Sequence, residues 1–249
     1  MPVKLHYEIF GMGTPVLCIH GFPLDHTIWQ PMIPILATNK QVILPDLRGH
    51  GCSPVSAAPY SIPEMARDVI TLMDDLQLSQ VMLVGQSMGG YVALEIAHQA
   101  PDRLLGLALV ASHPYADSPQ QRQARMDMIE HVQEDGVEKT FSDFPKKLCS
   151  EASIQEFTWK IIRGTDARGI VGSIQAMAER QDRWDVLLFA SYPTAIILGE
   201  QDPFIPVEVR HRLHIECHNT RFAILPDVAH MLMMEKPLEV AGILQEMME

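Results

Sequence analysis

The segment that decides the fold is VMLVGQSMGG, residues 81–90. It begins with an apolar, β-branched run of strand length and continues into the pattern Gly-x-Ser-x-Gly, with Gly85, Ser87 and Gly89 at the fixed positions. The following residues, 91–98, are mostly apolar and good helix formers. The segment therefore predicts a strand, a sharp turn and a helix, with Ser87 at the turn.

A serine at such a turn has two properties that suit a nucleophile. Its backbone is expected to be strained, and the small neighbours Gly85 and Gly89 relieve the crowding around it. The helix begins directly after Ser87, so the Met88 N–H and the positive end of the helix dipole lie beside any negative charge that develops there. The alternative interpretation is a glycine-rich turn in which Ser87 is only structural.

The composition is that of a globular protein with a sizeable core. The chain has 249 residues, of which 47% are hydrophobic. Lys and Arg number 19 and Asp and Glu number 31, so the net charge is −12, which argues against nucleic acid and anionic membranes as partners. The cysteines lack the spacing of a zinc site or of a disulfide framework; they are Cys18, Cys52, Cys149 and Cys217.

The ends and the hydropathy of the chain bear on its location. Residues 1–8 contain no apolar signal core, and no segment reaches transmembrane length. The default expectation is therefore a reduced, cytoplasmic setting without a membrane partner. A secreted form cut from a longer precursor is the alternative.

Segments typical of strands and helices alternate along most of the chain. Strands are predicted over 3–10, 15–20, 41–45, 81–86, 105–111, 194–199 and 220–225, the first of them antiparallel or at an edge. Residues 114–186 are polar and helix-rich, with helices predicted over 120–133, 137–148, 154–163 and 169–179. We therefore predict a doubly wound, mostly parallel α/β sheet, with residues 1–249 as a single domain and a helical lid at residues 114–186.

A nucleophilic serine needs a base, and the base needs an acid that orients it. Asp202 and His230 each follow a predicted strand, at the sheet edge where ligands bind in open α/β sheets. We expect His230 to take the proton of Ser87 and Asp202 to fix the tautomer of the imidazole. Glu200 and Asp227 are the rival acids, although Asp227 is too close to His230 in sequence to orient it easily.

Other candidates concern the surroundings of the serine. His113 is a weaker competitor for the role of base, because it also follows a strand. The oxyanion hole needs two backbone donors, and the N–H groups of Met88 and Phe22 are the candidates. Trp159 in the lid and Met231 beside the base are candidates for contact with an apolar substrate, whereas packing is the alternative for both. The histidines and cysteines do not indicate a metal site.

Together these residues resemble the α/β-hydrolase superfamily over nearly the whole chain. The motifs that carry the resemblance occur in the order of that family: HGFPLD at 20–25, DLRGHGCS at 46–53, GQSMGG at 85–90, GEQDP at 199–203 and AH at 229–230.

The chain looks most similar to the group of esterases, enol-lactonases and cofactor-free haloperoxidases. That resemblance implies an eight-stranded, mostly parallel sheet with a lid between two late strands. The first strand of the family is hard to find in this sequence, so seven strands are expected here. Haloalkane dehalogenases and epoxide hydrolases are disfavoured, because they carry Asp where this chain has Ser87.

The sequence favours a serine hydrolase that cleaves a small carboxylic ester, lactone or thioester through an acyl-enzyme at Ser87, without a metal or organic cofactor. An alternative keeps the triad but uses it for perhydrolysis, for hydrolysis of a carbon–carbon bond or for hydrolysis of a peptide. A third possibility is a ligand-binding protein on a hydrolase scaffold, although an intact triad argues against it.

Overall fold

The computed structural model of the chain describes residues 2–55, 59–217 and 219–248. Its strands are β1 (Tyr7–Phe10), β2 (Thr14–Ile19), β3 (Lys40–Pro45), β4 (Val81–Gln86), β5 (Leu104–Val110), β6 (Thr194–Gly199) and β7 (Thr220–Leu225). Its α-helices are α1 (Ile33–Leu36), α2 (Ile62–Asp75), α3 (Met88–Gln99), α4 (Pro119–Thr140), α5 (Phe144–Leu148), α6 (Ala152–Gly164), α7 (Ala167–Ala178), α8 (Trp184–Phe189), α9 (Val207–Glu216), α10 (Leu232–Glu235) and α11 (Pro237–Met247). Short 3₁₀ helices lie at His26–Met32 and Pro101–Arg103.

The strands form one sheet in the order β1-β3-β2-β4-β5-β6-β7. β1 pairs with β3 antiparallel, and every other neighbouring pair is parallel. Side chains of β4 and β6 are buried along the whole strand, as expected for a parallel sheet that is covered on both faces. The predicted mostly parallel α/β fold is confirmed, and within the described residues the sheet has the expected seven strands.

Helix α2, which precedes the central strand β4, has a well-defined start. Ser61 and Glu64 form a reciprocal capping box, in which Glu64 Oε2 accepts from the Ser61 N–H at 3.0 Å. Helix α2 then buries its apolar side, including Met65, Val69 and Leu72, against the core. Helices α2 and α3 pack on each other.

The segment between β2 and β3 contains two short elements instead of one continuous helix. Asp25 caps the first, the 3₁₀ helix His26–Met32, by accepting from the Thr27 N–H at 3.0 Å. Pro31 lies within this element and Pro34 lies at the start of α1. Because proline has no N–H to donate, two prolines three residues apart prevent a continuous α-helix.

Five helices, α4 to α8, lie between β5 and β6, and we call residues 119–189 the helical insertion. The helix predicted over 137–148 is wrong as one element. Helix α4 continues to Thr140, with a non-helical break at Gly136 (φ +81°), and α5 begins only at Phe144. Glycine tolerates this positive φ at little cost, and Pro145 is placed in the first turn of α5, where its missing N–H is not needed.

Two further expectations concern membranes and thiols. Among the helices of the described residues, none is both long enough and apolar enough to cross a membrane. All four cysteines are free thiols, and burial raises the pKa of Cys149 and Cys217 to about 11. These thiols are therefore protonated near neutral pH.

Candidate active site

Ser87 occupies the turn between β4 and α3. Its backbone has φ +50° and ψ −115°, a conformation that is rare for a residue with a side chain. Two hydrogen bonds hold it there: the Ser87 N–H donates to the Val110 carbonyl at 2.9 Å, and the Ser112 hydroxyl donates to the Ser87 carbonyl at 2.8 Å. The strand–turn–helix geometry predicted from the sequence is therefore present, and the neighbouring strand β5 maintains the strained turn.

The glycines around the serine allow three backbone segments to meet. A Cβ at Gly89 would lie 2.6 Å from the carbonyl oxygen of His20, and a Cβ at Gly21 would lie 3.0 Å from the Cβ of Ser87. A side chain at either position therefore has no room. The start of α3 is consequently packed directly against the end of β2 and the loop that follows it.

Asp202 and His230 lie together after β6 and β7. Asp202 Oδ2 accepts a hydrogen bond from His230 Nδ1 at 2.8 Å, and both residues are buried. The other carboxylate oxygen of Asp202 accepts from the Phe204 N–H at 2.8 Å, and the Phe204 ring lies 4.7 Å from the imidazole. With Nδ1 donating to Asp202, Nε2 of His230 is left as the acceptor nitrogen, which is the tautomer that a general base requires.

The rival acids lie elsewhere on the sheet edge. Glu200 and Asp227 are both exposed, and the Asp227 N–H donates to Glu200 Oε2 at 3.4 Å. Asp227 also adopts a positive φ of +57°, which is typical of a turn residue. In this structure Asp202, and not either rival, contacts the imidazole of His230.

His113 lines the same cavity as Ser87 but has different partners from the expected base. Burial, with a contribution from the nearby Arg180 guanidinium, lowers the pKa of His113 to about 3. Its Nδ1 accepts from the Tyr115 N–H at 3.3 Å, and its ring stacks on the Tyr115 ring. The rival base is therefore a neutral side chain held by Tyr115.

The candidate oxyanion donors are the backbone N–H groups of Phe22 and Met88. Met88 is the first residue of α3, so its N–H has no partner inside the helix. In the part of the chain that the structure describes, no hydrogen bond engages either N–H group. His20 fixes the loop that carries Phe22, because its Nδ1 contacts the Gly21 carbonyl at 2.9 Å while Nε2 accepts from the Leu47 N–H at 2.9 Å.

Ser87 and His230 line a common cavity of about 350 Å³ between the sheet edge and the helical insertion. The sheet loops and β-strand ends contribute part of its wall, and helices α4, α5 and α7 contribute the rest. The lining residues are Phe22, Ser87, Tyr91, His113, Asp117, Gln121, Ala124, Arg125, Met128, Phe144, Met177, Pro203, Phe204, Pro206 and His230. The insertion therefore supplies much of the surface that a bound molecule would touch.

The two residues predicted to contact substrate lie outside this cavity. Trp159 is half-buried on α6 and lines a separate surface depression with Lys160 and Arg163. Met231 is fully buried where α10 begins, and its N–H donates to Glu235 Oε1 at 3.1 Å. Packing, the alternative interpretation in both cases, matches these positions.

Several lining residues were not singled out from the sequence. Arg125 and Met128 lie on helix α4, where no local motif marks the side that faces the cavity. Phe204 had one usable signal, because it lies two residues after the predicted acid Asp202 and must follow the same loop.

A group of possible metal ligands lies apart from the cavity, around His26. The ligand atoms of Asp25, His26 and Asp46 lie within 4.8 Å of one another, and so do those of His6, Glu8 and His26. Direct pairing accounts for much of this cluster, since His26 Nδ1 lies 2.8 Å from Asp46 Oδ1. None of these residues lines the cavity with Ser87.

Comparisons with known proteins show the fold family of the chain. The family model described as "alpha/beta hydrolase fold" matches residues 14–237. A thermophilic esterase from Thermogutta terrifontis superposes with a TM-score of 0.92 at 33% identity, over 98% of this chain and 92% of that one. A bromoperoxidase from Bacillus anthracis superposes with a TM-score of 0.88 at 27% identity, over 99% and 96%. The pimeloyl-[acyl-carrier protein] methyl ester esterase of Legionella pneumophila is 26% identical over 237 residues, covering 92% of each chain.

Proposed function

The chain belongs to the α/β-hydrolase fold family, and from that premise we propose that it is a serine hydrolase that cleaves small carboxylic esters or lactones through an acyl-enzyme at Ser87. The observation that carries the proposal is the 2.8 Å contact between His230 Nδ1 and Asp202 Oδ2, beside the cavity that His230 shares with the strained Ser87. The similarity to two proteins named as esterases supports ester bonds as the target.

The first chemical step is attack by Ser87 on the ester carbonyl. His230 Nε2 accepts the hydroxyl proton as the oxygen–carbon bond forms, and Asp202 stabilises the resulting imidazolium. The carbonyl π-electron pair moves to the carbonyl oxygen, which becomes the oxyanion. The N–H groups of Phe22 and Met88 stabilise this charge together with the positive end of α3.

Collapse of the tetrahedral intermediate breaks the bond to the alkoxy group. His230 donates its proton to the leaving oxygen, so the alcohol departs neutral and the acyl group stays on Ser87. Water then attacks the acyl carbonyl while His230 accepts one of its protons. The second tetrahedral intermediate releases the acid and returns the proton to Ser87.

The helical insertion has a separate role in this proposal. It covers the carboxyl edge of the sheet, and its residues Met128, Phe144 and Met177 give the cavity an apolar wall. A cavity of about 350 Å³ is at the small end of the range for ligand sites. We therefore assign small or medium-sized esters to it.

The test is pre-steady-state hydrolysis of p-nitrophenyl butyrate by the wild type and by Ser87→Ala. The wild type should release a burst of p-nitrophenolate close to one equivalent and then turn over, whereas Ser87→Ala should show neither. Ser153→Ala, which removes an exposed serine from α6, is the matched control and should behave as the wild type. Labelling by a fluorophosphonate of Ser87→Ala at the wild-type rate would contradict the proposal.

A second candidate reaction, perhydrolysis, is favoured by the similarity to a protein named bromoperoxidase. In that reaction hydrogen peroxide replaces water in the attack on the acyl-enzyme, and a peracid leaves instead of an acid. The same wild-type and Ser87→Ala proteins, supplied with acetate ester and hydrogen peroxide, test it through oxidation of a peracid-sensitive dye. Dye oxidation that needs Ser87 would support the second reaction, and ester hydrolysis without peracid would exclude it.

A further inference from the structure

A cluster of charged residues forms one wall of the cavity that contains Ser87. Asp117, which follows β5, is buried, and its Oδ1 lies 2.7 Å from Arg180 Nη1. Its second oxygen accepts a hydrogen bond from Arg125 Nε of helix α4. One carboxylate is thus shared by two guanidinium groups from different helical parts of the insertion.

This cluster carries one uncompensated positive charge. Burial raises the pKa of Asp117, but the hydrogen bond from Arg125 and the charges of both arginines outweigh it and leave the pKa below its ordinary value. Asp117 is therefore ionised and neutralises one of the two arginines. His113, another titratable group of the cavity wall, is neutral near pH 7 because burial lowers its pKa to about 3.

Arg125 is the arginine that faces the cavity. It lines the cavity with Asp117, and 23% of its side chain is exposed, whereas Arg180 is buried behind Tyr91 with its guanidinium 4.0 Å from the centre of that ring. The Nη1 of Arg125 has only a 3.6 Å contact with the sulfur of Met177. Within the described residues, no hydrogen bond engages its Nη2. Arg125 thus retains donors for a ligand.

The positive charge of Arg125 contrasts with the negative net charge of the chain. The chain has a net charge of −12, so its overall field repels anions. Among the described residues that line the cavity, Asp117 is the single carboxylate, and it is already paired. The Asp202 carboxylate, whose charge also acts on His113, is buried behind the wall and is not among the lining residues. The exposed positive charge of this cavity is therefore that of Arg125, on the wall that the helical insertion builds.

We propose that Arg125 binds a carboxylate on the substrate, so that the preferred substrates are short esters that carry a free carboxylate, such as half-esters of dicarboxylic acids. This inference rests on the proposed function, because it assigns the substrate class of the same site. The planar guanidinium offers donors in a geometry that matches a carboxylate, and such charge-assisted hydrogen bonds are about twice as strong as neutral ones. Arg180 and Asp117 hold the Arg125 side chain in position.

The kinetic test compares monomethyl glutarate with its neutral isostere, in which a primary amide replaces the free carboxylate. The wild type should hydrolyse the anionic ester with a kcat/KM higher by about 10- to 100-fold, the range expected for hydrogen bonds to a charged group. Arg125→Gln should lower kcat/KM for the anionic ester at least about 10-fold more than for the neutral ester, so that most of the preference disappears. Arg125→Lys should keep part of it, because the charge remains and the fork geometry is lost.

Arg125→Gln is expected to fold, because Asp117 keeps Arg180 as its partner. Arg122→Gln is the matched control: it lies one turn earlier on α4, removes the same charge and is exposed. It should leave the preference unchanged. Equal loss of activity on both esters in Arg125→Gln would mean a merely structural role and would overturn the proposal, as would a wild type that prefers the amide.

A binding measurement separates this proposal from the proposed mechanism. Calorimetric titration of glutarate into Ser87→Ala, and into Ser87→Ala with Arg125→Gln, requires no catalysis. Binding that is weakened about 10-fold or more by the second substitution supports the anion site even if no ester is turned over. Equal binding to both proteins overturns the anion site even if Ser87 proves to be the nucleophile.

Discussion

The carboxyl edge of the sheet and the helical insertion build opposite walls of one cavity in different ways. At the sheet edge, Asp202 and His230 are buried and each is fixed by more than one hydrogen bond. In the insertion, Gln121 is exposed and Arg125 is half-buried, and both extend from the surface of α4. The sheet edge is therefore suited to holding reacting groups in one geometry, whereas the insertion presents side chains that can be exchanged without disturbing the core.

The largest effect should come from the acid at the sheet edge. Asp202→Asn should lower kcat by about 10⁴-fold, because an amide stabilises the wrong tautomer of His230 and cannot stabilise the imidazolium. Glu200→Gln and Asp227→Asn should each change kcat by less than about threefold, since both side chains are exposed and away from the imidazole. Steady-state hydrolysis of p-nitrophenyl butyrate measures all three. A large loss of kcat in Glu200→Gln or in Asp227→Asn, with kcat kept in Asp202→Asn, would mean that the substituted rival, and not Asp202, is the acid that orients His230.

The next effect concerns glycines and contrasts the two walls directly. Gly89→Ala should destabilise the protein by about 3 kcal/mol, because the new Cβ would meet the backbone carbonyl of His20 at 2.6 Å and backbone cannot move aside. Gly164→Ala, at the end of α6 in the insertion, has nothing within 4 Å of the new Cβ and should be neutral or slightly stabilising. Urea unfolding of both variants measures the difference. Similar midpoints would mean that the turn at Ser87 tolerates side chains and is not tightly packed.

Asp46 at the sheet edge and Asp143 in the insertion should differ in their effect on how the free energy of unfolding depends on pH. Burial raises the pKa of Asp46, but hydrogen bonds from His26 and from the Cys52 N–H outweigh it and lower the pKa to about 2 from 3.8. Because the pKa of Asp46 is lower in the folded than in the unfolded protein, ionised Asp46 stabilises the fold. This stabilisation is fully present at pH values above the pKa of the unfolded state, and it is lost as the pH falls from about 4 to about 2. The shift corresponds to about 2 kcal/mol, roughly half of it lost by pH 3.

The check is the free energy of unfolding between pH 5 and pH 3. Asp46→Asn should flatten the decline in that window, because the titrating group is gone. In the insertion, the hydrogen bond from Lys146 lowers the pKa of Asp143, but Asp143 is fully exposed, and Asp143→Asn should leave the pH profile unchanged. An identical decline in the wild type and in Asp46→Asn would show that Asp46 contributes nothing to acid unfolding.

The two walls of the cavity also differ in how many of their residues can be predicted from the sequence. Strand ends are predictable, because apolar runs of strand length identify parallel strands, and the carboxyl ends of such strands meet at one edge. Ser87, Asp202 and His230 each come directly after such a run, so the chain order alone placed them together. The structure adds the geometry of the Asp202–His230 pair, and it pairs the Asp227 N–H with Glu200 instead.

The insertion was predicted as helical, but its contacts were not. Which side of a helix faces the cavity depends on how α4, α5 and α7 pack, and no short-range pattern reports that packing. Trp159 was favoured because it is aromatic and lies in the insertion, yet it faces a different depression. No sequence pattern marks Arg125, because a single arginine in a polar helix is usually exposed to solvent and its partner Asp117 is eight residues away.

The smallest effect is expected from Trp159, and it tests whether the cavity is confined to the residues that line it. Trp159→Ala should leave kcat/KM within about twofold for every ester, because the indole lies on α6 outside the cavity.

Phe144→Ala is the matched aromatic change inside the cavity, where the ring lies 5.6 Å from that of Phe204. It should shift the preference between p-nitrophenyl acetate and p-nitrophenyl hexanoate by about 10-fold, the scale of a change in apolar pocket volume. If Trp159→Ala shifted that preference as strongly as Phe144→Ala, the depression on α6 would have to be part of the substrate path. The insertion would then contribute to selectivity through its outer surface as well as through the wall that faces Ser87.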